Sequence, residues 1–239
     1  MKMNSRNSKI GEKEAFLLAF LGRLREIVAP MFEGEHSGHD IYHLDRVCRL
    51  ALHLQEHEGG ERLVIGVAAF LHDIHRAIGK EDGRFVSPVE SLAKVSEIIA
   101  QAGGLPNVTV KRILLCIEHH EEYSFGTKVK LKYDRETQIV QDADNLDAIG
   151  AVGLGRTFKY AGNRGIAMHL PDLEIDADVP YTDAEDGDSV IQHIHRKMLR
   201  IPETLNTDRA QYLADRKMEL VRRFLREFDR EWDLGSQPE

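Results

Sequence analysis

At 239 residues and 27.1 kDa the chain is long enough to bury one generous core, and its length favours a single domain of upper-middle size. Hydrophobic residues at 42% and charged residues at 30%, with 19 Gly and 7 Pro scattered rather than clustered, exclude disordered and fibrous classes. The balance of 32 Lys and Arg against 40 Asp and Glu, net −8 with neutral His, argues against the broad basic footprint of a nucleic-acid binder and leaves room for a local basic pocket.

Apolar spacing is helical nearly everywhere, so the fold reads as all-α. A first helix runs from about Glu12 to Val28 and stops before Pro30. Within it Ala15–Leu21 is apolar, but Glu12 and Glu14 before it and Arg23, Arg25 and Glu26 after it are wrong for a signal core, and a cytoplasmic protein is expected. A second helix starts at the N-cap Asp40, carries Val47, Leu50, Ala51 and Leu54 on one face, and ends at Gly59-Gly60. Leu63 to His75 forms a third, apolar on most sides and therefore central; its wholly apolar part, Leu63–Leu71, is far short of the roughly 20 residues that cross a bilayer.

Ser87-Pro88-Val89-Glu90 is a capping box with Pro at the first helical position, and the helix it opens ends at Gly103-Gly104. Asn107 is expected to cap the next helix, which reaches His119-His120 and gives way to a polar loop around Gly126. Gln138 to Phe158 reads as one helix whose Gly150, Gly153 and Gly155 let one side press on a neighbour. From Ala161 to Asp188 the pattern dissolves into a functional loop, with a solvated acidic run at Asp183–Asp188. Ser189–Arg200 and Asp208–Asp233 are closing helices. The expected organisation is an N-terminal helix (1–34), a core (35–160), the irregular loop (161–188) and C-terminal helices of the same domain (189–239). Cys48 and Cys116 sit in apolar helical patterns and read as buried free thiols.

Twelve histidines are present, and their placement matters more than their number. His43, then His72-Asp73, then Asp142-Ala143-Asp144 supply imidazole nitrogens and carboxylate oxygens from helix ends, as a divalent transition ion requires. Consecutive helical residues point about 100° apart, so His72 and Asp73 reach one ion only off a helix end or in a splayed groove. An Asp after the apolar run Val67–Leu71 needs a metal or a salt bridge to satisfy it. Asp147, three residues after Asp144, shares its face and is a catalytic or water-orienting candidate, with a helix salt bridge as the alternative. Asp142 lies about 200° from Asp144 and does not share its ion in a regular helix. Arg46, one turn after His43, suits an anionic substrate bound beside the ion.

The pattern of His43, His72-Asp73 and Asp144 resembles the H…HD…D signature of the HD-domain metal-dependent phosphohydrolases. His39 to Val47 and Gln141 to Ala151 (QDADNLDAIGA) resemble segments of a bacterial YpgQ-like or YedJ-like branch, as does the stretch from Lys197 through Asn206-Thr207 to Trp232. The resemblance spans roughly residues 35–232 and implies an all-α HD-domain helical bundle with a metal site in its central cleft. Carried over residue by residue, it implies His43, His72, Asp73 and Asp144 as metal ligands, with His39 and Asp40 unassigned and Asp40 a helix cap. Asp73, Asp144, Asp147 and His75 become the catalytic candidates, and Arg46, His119, His120, Arg156 and Lys197 the substrate-binding ones. His75-Arg76 departs from the acidic residue that these proteins often carry shortly after the HD pair, leaving the proton-transfer group open.

Some HD families hold a second ion through histidines between the HD pair and the last Asp, which raises that question for His119 and His120; favourable placement at a helix C-terminus is the alternative. The implied cofactor is a divalent cation, manganese, cobalt, nickel or iron, with magnesium less suited to two histidines. The implied function is hydrolysis of a small phosphorylated molecule, a nucleotide above others, with release of phosphate or pyrophosphate. Partners are then that small molecule, with no polymeric nucleic acid, no membrane, and a homodimer left open. A di-iron oxygenase and a nucleotide-binding regulatory module are the rival readings.

Overall fold

The chain, as a computed structural model described over residues 2–122, 133–172 and 189–233, is built from helices, and among these residues there is no strand. Helix α1 (Lys2–Val28) begins earlier than the apolar spacing predicts, because its first turns carry no apolar stripe to reveal them. Its Leu17, Phe20, Leu24 and Val28 are buried at helical spacing, and a short 3-10 turn at Ala29–Phe32 follows, with Pro30 at its start. Helix α2 (Ile41–Glu58) has Asp40 as N-cap, its carboxylate accepting from the His43 amide at 3.0 Å, and ends at Gly59 with φ +82°.

The predicted third helix is two. Helix α3 (Arg62–Leu71) is buried from Val64 to Leu71 and occupies the centre between α1, α2 and later helices. At Asp73 the backbone leaves the helical region (φ −95°, ψ 15°), and α4 (Ile74–Asp82) starts afresh. Apolar spacing alone carries the pattern through this point; what breaks it is the set of polar partners gathered at His72 and Asp73. Helix α5 (Pro88–Gln101) has the expected capping box, with Glu90 accepting from the Ser87 amide at 2.9 Å. Helix α6 (Asn107–His119) starts one residue earlier than expected: Pro106 occupies the cap position and Asn107 is already helical. The loop expected around Gly126 lies outside the described residues.

The helix expected over Gln138–Phe158 is also divided, into α7 (Arg135–Asp147) and α8 (Gly150–Arg164). Gly150 takes φ +77°, which favours glycine, and a Cβ on Gly153 would lie 2.3 Å from the Ala148 carbonyl oxygen. Those two glycines serve the turn between the helices, whereas Gly155 has open space around it. Residues Ala161–Arg164 of the expected loop are helical; its remainder beyond Asp172, with the acidic run, lies outside the described residues.

The first of the two closing helices is α9 (Val190–Arg196) followed by a 3-10 segment at Met198–Thr204 that contains Pro202; the second is α10 (Asp208–Trp232), capped by Thr207. Helix α10 packs on α8, α7 and α2. It holds α7 at two points. Lys217 donates to the Leu146 carbonyl at 2.7 Å, satisfying an end-of-helix acceptor. The buried Asp142 carboxylate accepts from the Asn206 amide (2.8 Å) and side chain (3.0 Å) and from the Thr207 amide (2.9 Å) and hydroxyl (2.7 Å). Both cysteines are buried and free, and no described helix is long and apolar enough to cross a membrane.

Candidate metal centre

The Asp40 cap fixes the first turn of α2 and with it His43; the α3–α4 break presents His72 and Asp73; α7 presents Asp144 and Asp147; and the end of α6 presents His120 and Glu121. These segments converge. His43 Nε2 lies 3.2 Å from His72 Nε2, 3.2 Å from Asp73 Oδ2 and 3.4 Å from Asp144 Oδ1. His72 Nε2 is 3.5 Å from Asp73 Oδ2 and 3.7 Å from Asp144 Oδ1. Both imidazoles are fully buried.

The far nitrogens decide what the near ones do. His72 Nδ1 sits 2.8 Å from the Ala69 carbonyl, which can only accept, so Nδ1 carries the hydrogen. His43 Nδ1 is likewise 2.8 Å from a carboxylate oxygen of Asp147. In the neutral rings both Nε2 atoms are therefore acceptors, facing two further acceptors, the carboxylate oxygens of Asp73 and Asp144. The ligand atoms of His43, His72 and Asp144 lie within 4.8 Å of one another, and Asp73 Oδ2 flanks both Nε2 atoms; acceptors so placed are satisfied by a cation, so the residues present fit a divalent metal with mixed nitrogen and oxygen ligands. Without an ion, the same carboxylates favour a proton on His43, the positive charge that a metal would replace. Burial and the Arg156 guanidinium push His43 down, yet its bonds to Asp144, Asp147 and Asp73 hold it up at about 10. Burial opposes ionisation of Asp73 and Asp144, but the charge of His72 and Arg76 on the first and the bonds from His43 and His72 on the second keep both well below the usual carboxylate range.

Around this centre lies a second layer of charge. Asp147 takes a bidentate pair from Arg46 (Nε–Oδ1 2.8 Å, Nη2–Oδ2 3.0 Å) and a third bond from Arg156 Nη1 at 2.8 Å, while Arg156 Nε donates to the Gly38 carbonyl. His39 Nδ1 donates to Asp73 Oδ2 at 2.8 Å, and Arg76 Nε donates to Asp73 Oδ1 at 2.9 Å. Asp147 thus bonds His43 and pairs with arginines of α2 and α8, in place of the within-helix salt bridge that was its alternative. Arg46 and Arg156, expected at substrate, are both drawn onto Asp147, with Arg46 keeping part of its side chain exposed.

The two adjacent histidines of α6 diverge. His119 turns outward, with Nδ1 2.9 Å from Glu122 and its ring beside Tyr133. His120 turns inward: Nδ1 meets the Ile117 carbonyl at 2.6 Å, and Nε2 is buried without a hydrogen-bond partner. His75 has the same arrangement, Nδ1 at 3.2 Å from the His72 carbonyl and Nε2 unpartnered. Its Nε2 lies 3.6 Å from Glu121 Oε1 and 4.0 Å from Asp73 Oδ1, and His120 Nε2 is 4.0 Å from Glu121 Oε1. Glu121 also pairs with Arg76; burial works against its ionisation, but His75 and Arg76 hold it at about 2. Lys197, half-buried, closes α9. Asp142 faces α10 and not Asp144's ligand set, as its helical phase requires. Sequence reasoning left His39 unassigned and gave Arg76 and Glu121 no role; Arg76 and Glu121 adjoin the candidates His75 and His120, and His39 lies four residues before His43.

A family model described as "HD domain" matches residues 40–149. The chain is 29% identical over 211 residues to the protein YpgQ of Bacillus subtilis, a match covering 87% of this chain and 92% of YpgQ. Among solved structures, an HD-superfamily hydrolase from Bacillus thuringiensis is similar at a TM-score of 0.67 and 29% identity, over 91% of this chain and 97% of the other. The structure of Bacillus subtilis YpgQ in complex with ADP is similar at a TM-score of 0.64 and 28% identity, over 88% and 97%.

Proposed function

With an HD-domain model matching residues 40–149, we propose that this chain is an HD-domain protein and a metal-dependent phosphohydrolase acting on a small phosphorylated substrate, a nucleotide above others. The observation that carries the reading is the meeting of His43, His72 and Asp144, whose ligand atoms lie within 4.8 Å of one another, with Asp73 Oδ2 3.2 Å from His43 Nε2. The ADP complex of YpgQ supports the nucleotide as substrate class. The donor set favours manganese, cobalt, nickel or iron over magnesium.

Bound there, a divalent ion supplies Lewis acidity toward a phosphoryl oxygen and makes water a better nucleophile near neutral pH. The chain's own residues do the rest. Asp147 accepts the proton of His43 Nδ1 and thereby aims Nε2 at the centre, as carboxylates behind metal-binding imidazoles do. The backbone carbonyl of Ala69 does the same for His72. His39 and Arg76 each hold one oxygen of Asp73, fixing its plane. The guanidinium groups of Arg46, Arg156 and Arg76 offset the carboxylates and keep the cleft hospitable to a polyanion. Replacing Asp147 with Ala frees His43 to rotate, and metal affinity measured by chelator competition is expected to fall about 10–100-fold. Unchanged affinity would remove Asp147 from this role.

The test of the function is hydrolysis of a nucleotide panel by metal-stripped protein resupplied with manganese, cobalt, nickel, iron or magnesium, with phosphate and pyrophosphate read separately. Release that depends on a transition ion is expected, and the product identifies the bond cut. No release with any ion, despite metal bound at His43 and Asp144, overturns the hydrolase reading.

A further inference from the structure

The two guanidinium groups that the sequence favours for substrate lie behind the cluster. Arg46 and Arg156 both bond Asp147, and Asp147 touches His43 at Nδ1, whereas Asp73 and Asp144 face its Nε2. Arg156 is further committed to the Gly38 carbonyl. Arg76 stands one residue closer. Its Nε donates to Asp73 Oδ1 at 2.9 Å, and the other oxygen of that carboxylate lies 3.2 Å from His43 Nε2 and 3.5 Å from His72 Nε2. We propose that Arg76 grips the phosphoryl group of the substrate, offering the free edge of its guanidinium while Asp73 and Glu121 hold the other edge in place. The inference rests on the reading of this cleft as a site for phosphorylated molecules.

Donor count and exposure make the case. A guanidinium carries five N–H donors in one plane. Nε and Nη2 use one each, on Asp73 and on Glu121, and the other three have no partner among the described residues. The Arg76 side chain is 39% exposed, against 26% for Arg46 and 15% for Arg156, so of the three it is the most open to an arriving anion. Two parallel N–H bonds to two oxygens of one phosphoryl group are a contact that a planar fork makes and an ammonium does not. Asp73 is buried in the α3–α4 break and Glu121 follows the end of α6, so the fork is fixed from two separate elements before substrate arrives. Less side-chain freedom is then lost on binding. The same cation offsets the charges of Asp73 and Glu121, which would otherwise repel a polyanion.

The departure of His75-Arg76 from an acidic residue after the HD pair thereby gains a reason: Arg76 brings a positive fork to the phosphate.

The test is isothermal titration of ADP into the manganese-loaded full-length chain, with bound manganese and circular dichroism recorded for every variant. Arg76→Ala is expected to weaken ADP binding about 10–100-fold, the scale of lost hydrogen bonds to a charged group. Arg76→Lys keeps the charge without the fork and is expected to weaken it about 3–10-fold. If Arg76→Ala fails to fold, Arg76→Lys decides the matter, since it keeps a cation beside Asp73. Wild-type affinity in Arg76→Ala at full metal content overturns the contact, and wild-type affinity in Arg76→Lys reduces Arg76 to a charge and overturns the fork. Absence of ADP binding by the wild type also overturns the inference. Binding that depends on Arg76 in a chain that releases neither phosphate nor pyrophosphate leaves the inference standing and sinks the hydrolase reading alone.

Discussion

Asp144→Ala is expected to lower metal-dependent nucleotide hydrolysis about a thousandfold while leaving the helical circular dichroism spectrum intact. The substitution removes one of four acceptors that meet at His43 and His72, and it leaves two imidazoles with a single carboxylate. A bound cation is worth several kcal/mol of transition-state stabilisation, and each 1.36 kcal/mol is tenfold in rate, so about three decades is the expected scale. His72→Ala has the same predicted outcome from the imidazole side, since its ring is fully buried with Nε2 at the centre. The measurement is phosphate or pyrophosphate release at saturating manganese, with metal content determined in parallel. Wild-type-like turnover in either variant removes that residue from the site, whereas lost turnover with full metal content shifts its role from holding the ion to the chemical step.

The second large effect falls on stability. Asp142 accepts four hydrogen bonds from Asn206 and Thr207, and both Asp142 and Thr207 are buried. Asp142→Ala strands those donors away from water, and a loss of about 3 kcal/mol is expected from the desolvation cost of unpaired buried groups. For a chain of this size that corresponds to a melting temperature lower by about 6–12 °C. Asp142→Asn should be intermediate, because its amide retains one acceptor oxygen and turns a donor toward donors. Thermal unfolding of metal-free protein isolates the term from ligand linkage. A melting temperature within a degree of wild type for Asp142→Ala would falsify the account of Asp142 as the tie between α7 and α10.

Legibility in the sequence followed the range of the interactions. The capping box at Ser87–Glu90, the Asp40 cap and the terminating glycines at 59–60 were readable because each signal lies within a few residues of what it determines. Asp147 was readable as a neighbour of Asp144 from the i, i+3 spacing, though not that two arginines would be drawn onto it. The breaks at Asp73 and around Ile149 were hidden, since the apolar run Val64–Leu71 and the alternation through Leu146 and Leu154 both continue a helical pattern. What interrupts them is tertiary: the partners of Asp73 come from His39 ahead of α2, from His43 in α2 and from Arg76 in α4, and the turn before α8 closes on Gly153 and Lys217. His120 and His119 are adjacent and alike in sequence; only the orientation of α6 against α3 turns one inward. Glu121 escaped notice for the same reason.

The tie between Asp142 and the start of α10 also bears on the order in which the protein is made. His43, His72 and Asp73 leave the ribosome early, but the helix that brings Asp144 to them is anchored by residues 206–217. A nascent chain halted before that point carries the first three groups with the fourth unsecured. Metal capture at the proposed centre is consequently expected only late in synthesis, once residues 206–217 have been made.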